Sequence, residues 1–298
     1  MRKNILSSPY LFLSIGVLSV AISSIFIKWA TAPASVLAMY RLLLTVLFLL
    51  PFKPWSIINK QTNLNKKDFL HLFFSSLFLA LHFLFWMESL RHTSVASSMI
   101  ILSLSPVFTT IGLFFFFKAR TTIAKVMSLV IAILGSLIIA WGDIGLSHEA
   151  LYGDFLSLLG CIAYAVHLLF GQLLVQKISG QSYSFVVFLI SGILLFIYNI
   201  IFKVELISYS LTNWLIFILL AFFSTILGHM LFNICLKHLD ASVVSMATIG
   251  EPILAIFLAF LLLGEEITLL QITGSLITVI GIGLFFKPQK SKRSKIDY

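Results

Sequence analysis

Ten long apolar stretches separated by short polar breaks limit most strongly what this chain can fold into. They cover residues 10–30, 34–52, 69–90, 95–117, 123–142, 154–175, 183–202, 213–234, 242–263 and 269–286. A helix needs about 20 apolar residues to span the hydrocarbon core of a bilayer. The runs are too long for strands and lack the alternation of a membrane barrel. The sequence therefore predicts an all-α membrane protein with ten transmembrane helices.

Composition excludes several classes of protein. Of the 298 residues, 60% are hydrophobic and 10% are charged, whereas a soluble domain carries about 25% charged residues. A water-soluble enzyme and a nucleic-acid-binding domain do not fit these values. The two cysteines, Cys161 and Cys235, lie inside apolar runs and have no disulfide or metal-site spacing. No phosphate-binding Gly-Lys-Ser loop occurs, and we expect neither a metal nor a cofactor.

The basic residues predict the orientation in the membrane. With the N-terminus in the cytoplasm, 16 of the 20 Lys and Arg residues lie on the inner side, and only Lys28, Arg91 and Lys203 lie outside. Such a bias sets the topology of multi-pass proteins. The first apolar run resembles a cleavable signal up to Ala32, but its length and the following Pro33 favour a retained helix. We expect a multi-pass protein of the plasma or inner membrane with both termini cytoplasmic.

The two halves of the chain match at one fixed offset of 146 residues. Leu90-Arg91-His92 aligns with Leu236-Lys237-His238, Pro106 aligns with Pro252, and Gly135 aligns with Gly281. Five helices per half make the halves enter the membrane from opposite sides. The sequence therefore predicts two inverted five-helix repeats, residues 1–145 and 146–298, the second ending in a basic cytoplasmic tail. Inverted repeats allow a central site to face either side of the membrane in turn.

Several motifs carry a resemblance to a known family. They are MESLRHTSVASSMIILSLSP, followed by FFFFKART, and GEPILAIFLAFLLLGEEITLLQITGSLITVIGI in the second half. The chain resembles the ten-helix EamA-type family of the drug/metabolite transporter superfamily over nearly its whole length. The resemblance implies secondary transport of small metabolites, often export of amino acids or amphipathic compounds. Where the family often has an acidic residue after the fourth helix, this chain has Lys118-Ala119-Arg120, which argues against symmetric roles for the two turns.

Glu251 is the candidate coupling residue. A charge in the bilayer costs about 2.5–3.5 kcal/mol on insertion scales, so such residues usually line a cavity or have a partner. Glu251 lies in the middle of the ninth stretch, directly before Pro252. Proline removes a backbone donor and disturbs the preceding turn, so Pro252 and its counterpart Pro106 are predicted helix breaks. A structural carboxyl bonded to a neighbouring side chain is the alternative.

Polar and aromatic residues within the helices form the candidate substrate site. His82 and Trp86 are four residues apart and share one helix face, and His229 lies one residue away from the position that repeats His82. Tyr164 is a further cavity candidate. Arg41 lies about 12 Å inside the second helix, too deep to reach the outer surface easily, and is a candidate clamp for an anion or carboxylate. A structural hydrogen bond is the alternative for each histidine, and bracing of backbone carbonyls is the alternative for Arg41.

These observations favour a secondary-active exporter that works by alternating access on a small molecule in a lipid bilayer. An uptake permease or facilitator, a channel and a scaffold remain open. A membrane-embedded enzyme would need a clustered catalytic set. Asp143, His148, Glu149 and Asp154 show no such spacing, so we expect neither catalytic residues nor a nucleic-acid partner. The sequence leaves both a monomer and a homodimer open, and it does not identify the substrate.

Overall fold

The computed structural model describes residues 8–52, 54, 64–119, 121–141, 147–263 and 267–286. All the regular elements within these ranges are helices. We number the membrane spans α1 to α10 and mark the two parts of an interrupted span a and b. They are α1a (Pro9–Ala21), α1b (Ser23–Trp29), α2 (Ala34–Leu49), α3 (Lys66–His92), α4a (Val95–Leu102), α4b (Ser105–Phe117), α5 (Ile123–Trp141), α6 (His148–Leu174), α7 (Gly180–Ile201), α8 (Leu211–Cys235), α9a (Ala241–Thr248), α9b (Glu251–Leu263) and α10 (Leu269–Phe286).

The described residues contain nine spans that are long and apolar enough to cross a membrane. A tenth, α5, is a shorter apolar helix. This confirms the predicted all-α membrane fold with ten helices. The predicted basic tail from residue 287 onward and the turn at 264–266 lie outside the described residues, as does Asp143.

Side-chain caps set several helix starts that hydropathy placed a few residues too late. Asn65 accepts from the Asp68 backbone N–H at 3.0 Å while Asp68 accepts from the Asn65 N–H at 2.9 Å, so α3 begins at Lys66 and not at 69. This reciprocal pair satisfies two free N–H groups of the first turn. Ser147 caps α6 in the same position, and α6 therefore begins at His148 and not at 154. The error arose because capped first turns are polar and fall below a hydropathy threshold.

The fourth and ninth spans are each broken at the same place in the repeat. The first part of each span, α4a and α9a, covers eight residues. The second parts, α4b and α9b, each cover 13 residues and begin one residue before a proline, Pro106 or Pro252. Proline fits the first turn of a helix because its missing N–H would have no partner there. The structure thus interrupts both spans just before the two prolines, where the sequence led us to expect breaks.

The helices α5 and α10 pack closely against each other through glycines. A Cβ atom added at Gly135 would lie 2.5 Å from the Thr278 backbone nitrogen, and one added at Gly281 would lie 2.5 Å from the Ala132 nitrogen. Small residues let membrane helices approach at backbone distance. The two glycines are the pair aligned by the repeat, and they make equivalent contacts from opposite sides of one interface.

Both ends of the described chain lie at one end of the bundle, which we call the terminal face. The ring of Tyr10 contacts that of Phe286, with 6.0 Å between centroids. At the same face, Lys177 pairs with Asp68 at 2.7 Å. The other end, the opposite face, is tied across helices: Lys28 Nζ donates to the Leu90 carbonyl oxygen at 3.0 Å. An even number of spans explains why both ends lie on one side.

Candidate functional site

A small cavity lies where the two broken spans meet the middle of the bundle. Its volume is about 20 Å³, enough for about one water molecule. It is lined by residues of six spans from both halves: Val20, His82, Trp86, Met99, Leu102, Ser103, Tyr164, His229, Thr248, Glu251 and Pro252. The structure therefore brings together five residues that the sequence singled out as polar, aromatic or acidic candidates.

One wall of the cavity is an aromatic layer from α3 and α6. The rings of His82 and Trp86 are nearly parallel, at 5° and 5.9 Å between centroids. The ring of Tyr164 also packs against that of His82, with 4.8 Å between centroids. Gly160 permits this contact, because a Cβ there would lie 3.2 Å from the Trp86 backbone nitrogen. The predicted shared face of His82 and Trp86 is therefore a stacked surface on the cavity.

A backbone bond fixes the tautomer of His82. Its Nδ1 lies 2.9 Å from the carbonyl oxygen of Gly160, and a carbonyl can only accept. Nδ1 therefore carries the proton in the neutral ring, and Nε2 is an acceptor. The Trp86 Nε1 and Tyr164 hydroxyl, in contrast, have no hydrogen-bond partner in the described part of the chain. The wall thus offers donors to a bound molecule.

His229 completes the polar lining from α8. It lies 6.1 Å from His82 between ring centroids, and neither of its ring nitrogens has a partner among the described residues. It lies in a π-helical stretch, Leu220–Met230, and such wider turns are frequent at functional sites. His82 and His229 lie one residue away from equivalent positions of the repeat. The structure brings these two histidines, one from each half, next to each other.

Glu251 lies at the interruption of the ninth span and not inside a continuous helix. It is the first residue of α9b and is partly buried on the cavity. The N-terminus of a helix carries a partial positive charge that favours an anion. The matching residue of the first half is Ser105, whose buried hydroxyl has no partner within the described ranges. The site is therefore asymmetric, with a carboxyl on one side only.

Arg41 does not line the cavity. Its guanidinium carbon lies 4.1 Å from the centre of the Phe83 ring, and that ring contacts His229 at 4.8 Å and His82 at 5.0 Å. Arg41 thus lies behind the cavity wall and shares Phe83 with two of its residues.

The sequence analysis missed the lining residues at the two breaks. Ser103 lines the cavity at the first break, and Leu102 and Thr248 occupy equivalent positions at the two breaks. The repeat could have found this last pair, because both residues directly precede an interruption of the helix. Hydropathy alone could not, because it averages over a whole span and does not show where the helix is interrupted.

The lining combines stacked aromatic rings with polar groups that have no partner among the described residues, which makes this cavity the candidate binding site. Its lining comes from both halves of the chain, and carriers with inverted repeats bind their substrates where the two repeats meet, near the midplane of the membrane. The fold and this lining together are the features of a membrane transport protein.

Comparison with known proteins identifies the family. Residues 7–141 and 151–287 each match the EamA-like transporter family. The chain belongs to this family, and both of its halves match it.

Individual relatives agree with this assignment. The chain is similar to the uncharacterized transporter YcbK of Bacillus subtilis, with 28% identity over 89% of this chain and 88% of YcbK. An uncharacterized transporter of Archaeoglobus fulgidus is 26% identical, and the match spans 61% of this chain and 64% of that protein. A probable amino-acid metabolite efflux pump of Salmonella typhimurium is 25% identical, over 56% of this chain and 59% of the pump.

A solved structure shares the fold. The chain is similar to a protein of known crystal structure, with a TM-score of 0.73 and 14% sequence identity. The match covers 93% of this chain and 96% of the other chain. At this identity the likeness concerns the fold alone.

Proposed function

We propose that this protein is a secondary-active carrier that exports a small metabolite through the central cavity by alternating access. The substrate class is an amino acid or another amphipathic compound of similar size. One relative is named as an amino-acid metabolite efflux pump, and this name supports export and the substrate class. We propose no enzymatic activity, and we propose no partner apart from the substrate and the bilayer.

The observation that carries this proposal is the composition of the cavity. Trp86 and Tyr164 have buried polar atoms without a partner in the described residues, and so does His229. Leaving such atoms unpaired costs about 1–3 kcal/mol each, so a ligand that bonds to them regains part of this cost. A cavity that holds about one water molecule must widen to admit a metabolite, which alternating access of two halves provides.

Glu251 is the proposed coupling group. Its burial favours the neutral acid, and its position at the start of α9b favours the carboxylate. Because these two effects oppose each other, a change of surroundings during the transport cycle can load or release a proton. His82, Trp86, Tyr164 and His229 are the proposed substrate contacts.

We also propose the orientation and the division of the chain. The terminal face is proposed to be cytoplasmic, because the bias of Lys and Arg in the sequence predicts that the N-terminal side of the first helix lies inside. Residues 1–145 and 146–298 form the two repeats, whose relative movement exposes the cavity to each side in turn.

Exchange of a labelled compound across vesicles tests the carrier function. Metabolite profiling of cells with and without the protein first supplies the compound, and counterflow in proteoliposomes then measures its exchange. Ser103→Phe should fill the cavity and abolish exchange. Gly283→Phe is the matched control, because no atom of the described residues lies within 4 Å of a Cβ added at Gly283, and this variant should exchange normally. Absence of counterflow by the wild-type protein would overturn the proposal in favour of an enzyme, a channel or a scaffold.

A further inference from the structure

We propose that Arg41 forms an anion-binding site that holds the carboxylate of the transported molecule. The proposal rests on the proposed transport function for the origin of the carboxylate. The binding of an anion at Arg41 is a separate claim that can be tested without transport.

The Arg41 side chain is fully buried and largely unpaired. Its exposed fraction is 0%. Its Nε donates to the Thr225 hydroxyl at 3.0 Å, and its charge lies over the Phe83 ring. The two terminal nitrogens, Nη1 and Nη2, have no hydrogen-bond partner in the part of the chain that the structure describes. None of the ion pairs among these residues includes Arg41.

A buried charge without a counter-ion is costly, and proteins rarely retain one. A guanidinium stays protonated in proteins, so it needs a partner of opposite charge, and no carboxylate among the described residues pairs with Arg41. A bound anion would supply this partner. The bond to Thr225 occupies Nε. The two terminal nitrogens, Nη1 and Nη2, each keep an N–H that points away from the arginine stem, and these two N–H bonds are parallel. Two parallel N–H donors match the two oxygens of a carboxylate. The geometry therefore favours a planar carboxylate over a spherical ion.

Further unpaired groups lie on the helix that contacts Arg41. Ser224, next to Thr225, has a buried hydroxyl without a partner among the described residues. His229 is one turn further along α8, and it packs on the same Phe83 ring as Arg41. His229 also lines the central cavity. Phe83 and His229 thus link Arg41 to the cavity. We expect these two rings to move as the cavity widens, so that a carboxylate reaches Arg41 while the rest of the molecule lies against the aromatic wall.

The alternative is that Arg41 only braces α2 against α8. Another bond already joins these helices here, because Thr45 Oγ1 donates to the Ala221 carbonyl oxygen at 3.0 Å. Bracing would use the Nε bond but gives no role to Nη1 and Nη2. The two roles predict different responses to small anions.

Thermal unfolding of the purified full-length protein separates these roles. The Tm is measured in detergent at increasing concentrations of sodium acetate and, separately, of sodium chloride. The sodium salt of a bulky sulfonate makes up the rest of the ionic strength, which stays constant. Acetate should raise the Tm by several degrees and saturate, because a ligand that binds only the folded state stabilises it. Arg41→Gln should lose this response. Arg41→Lys should keep a weaker one, and Arg91→Gln at the exposed opposite face should respond as the wild type does.

Each outcome decides the proposal. A saturable acetate response that depends on Arg41 supports it. A response to chloride alone identifies an inorganic anion and overturns the carboxylate assignment. An equal response in Arg41→Gln, or none in the wild type, overturns the site and leaves Arg41 as a brace. Counterflow that persists after such a result would leave the proposed transport function intact, so the two failures can be told apart.

Discussion

The hydroxyl of Thr278 donates to the carbonyl oxygen of Ala132 at 3.3 Å, and the two residues are 146 positions apart. This separation is the offset of the internal repeat, so a residue meets its own counterpart from the other half. Two equivalent positions can touch only where the axis that relates the halves passes between them. The interface of α5 and α10 therefore lies on this axis.

This interface predicts a sharp difference between two neighbouring glycines. Gly281→Ala should lower the free energy of unfolding by about 1–3 kcal/mol, the usual cost of overpacking, because its Cβ would lie 2.5 Å from the Ala132 nitrogen. Gly283→Ala adds the same methyl group at a position where no other atom of the described part of the chain lies within 4 Å. It should be neutral or gain up to about 1 kcal/mol from helix propensity. The Tm of both variants in the same detergent tests this prediction, and equal values would contradict it.

Sequence alone predicted the fold because hydropathy and the repeat act over long stretches. Each of the ten helices was found, and the offset that pairs Gly135 with Gly281 also pairs the two breaks. The first turns of α3 and α6 were placed wrongly, because Asn65 and Ser147 cap polar turns that hydropathy does not recognise. The interruption before Glu251 was expected, but its position at a helix start was not.

The stacked pair of α3 predicts how Trp86 contributes to binding. Trp86→Ala removes a ring that stacks on His82, and aromatic pairs of this kind contribute about 0.5–1.5 kcal/mol. We expect an apparent substrate affinity up to about tenfold weaker at a similar protein abundance. Trp86→Phe keeps a ring but removes the unpaired Nε1 donor, and its apparent affinity should lie between those of the wild type and Trp86→Ala. Apparent Km in counterflow provides the measurement.

The control for Trp86 is a tryptophan away from the cavity. Trp29 is 46% exposed near the opposite face, and Trp29→Ala should leave affinity unchanged. If Trp86→Ala instead lowers abundance while its affinity stays at the wild-type value, then the ring packs the helices and does not contact substrate.

Reporter fusions test the proposed orientation. The distribution of Lys and Arg predicts that a fusion after Lys60 or Lys290 reports the cytoplasm. A fusion after Ser147, between α5 and α6, should report the outside. The measurement compares a reporter that is active only in the cytoplasm with one that is active only outside it. A C-terminal fusion that reports the outside would refute the orientation.

The candidate site was predictable only in part. A shared helix face placed His82 beside Trp86, since i, i+4 spacing is a local property of one helix. The contact of His82 with His229 depends on how two helices from different halves cross, which no spacing in the sequence reveals. Arg41 was predicted as a clamp for an anion or carboxylate, and this stays a prediction. Its place behind Phe83 could not be predicted, because the packing of α2 against α8 sets its distance from the cavity.

The last prediction concerns Glu251 as the group that couples transport to protons. Glu251→Gln keeps the shape of the neutral acid but cannot release a proton. If Glu251 carries the proton, this variant should still exchange substrate in counterflow but lose accumulation driven by a pH gradient in proteoliposomes. Glu88→Gln is the matched control, because Glu88 lies 39% exposed at the opposite face, and it should keep both activities. Undiminished gradient-driven accumulation by Glu251→Gln at matched protein level would show that the carboxyl is structural. In that case Gln should be nearly silent, while Glu251→Ala should lower the Tm through lost packing.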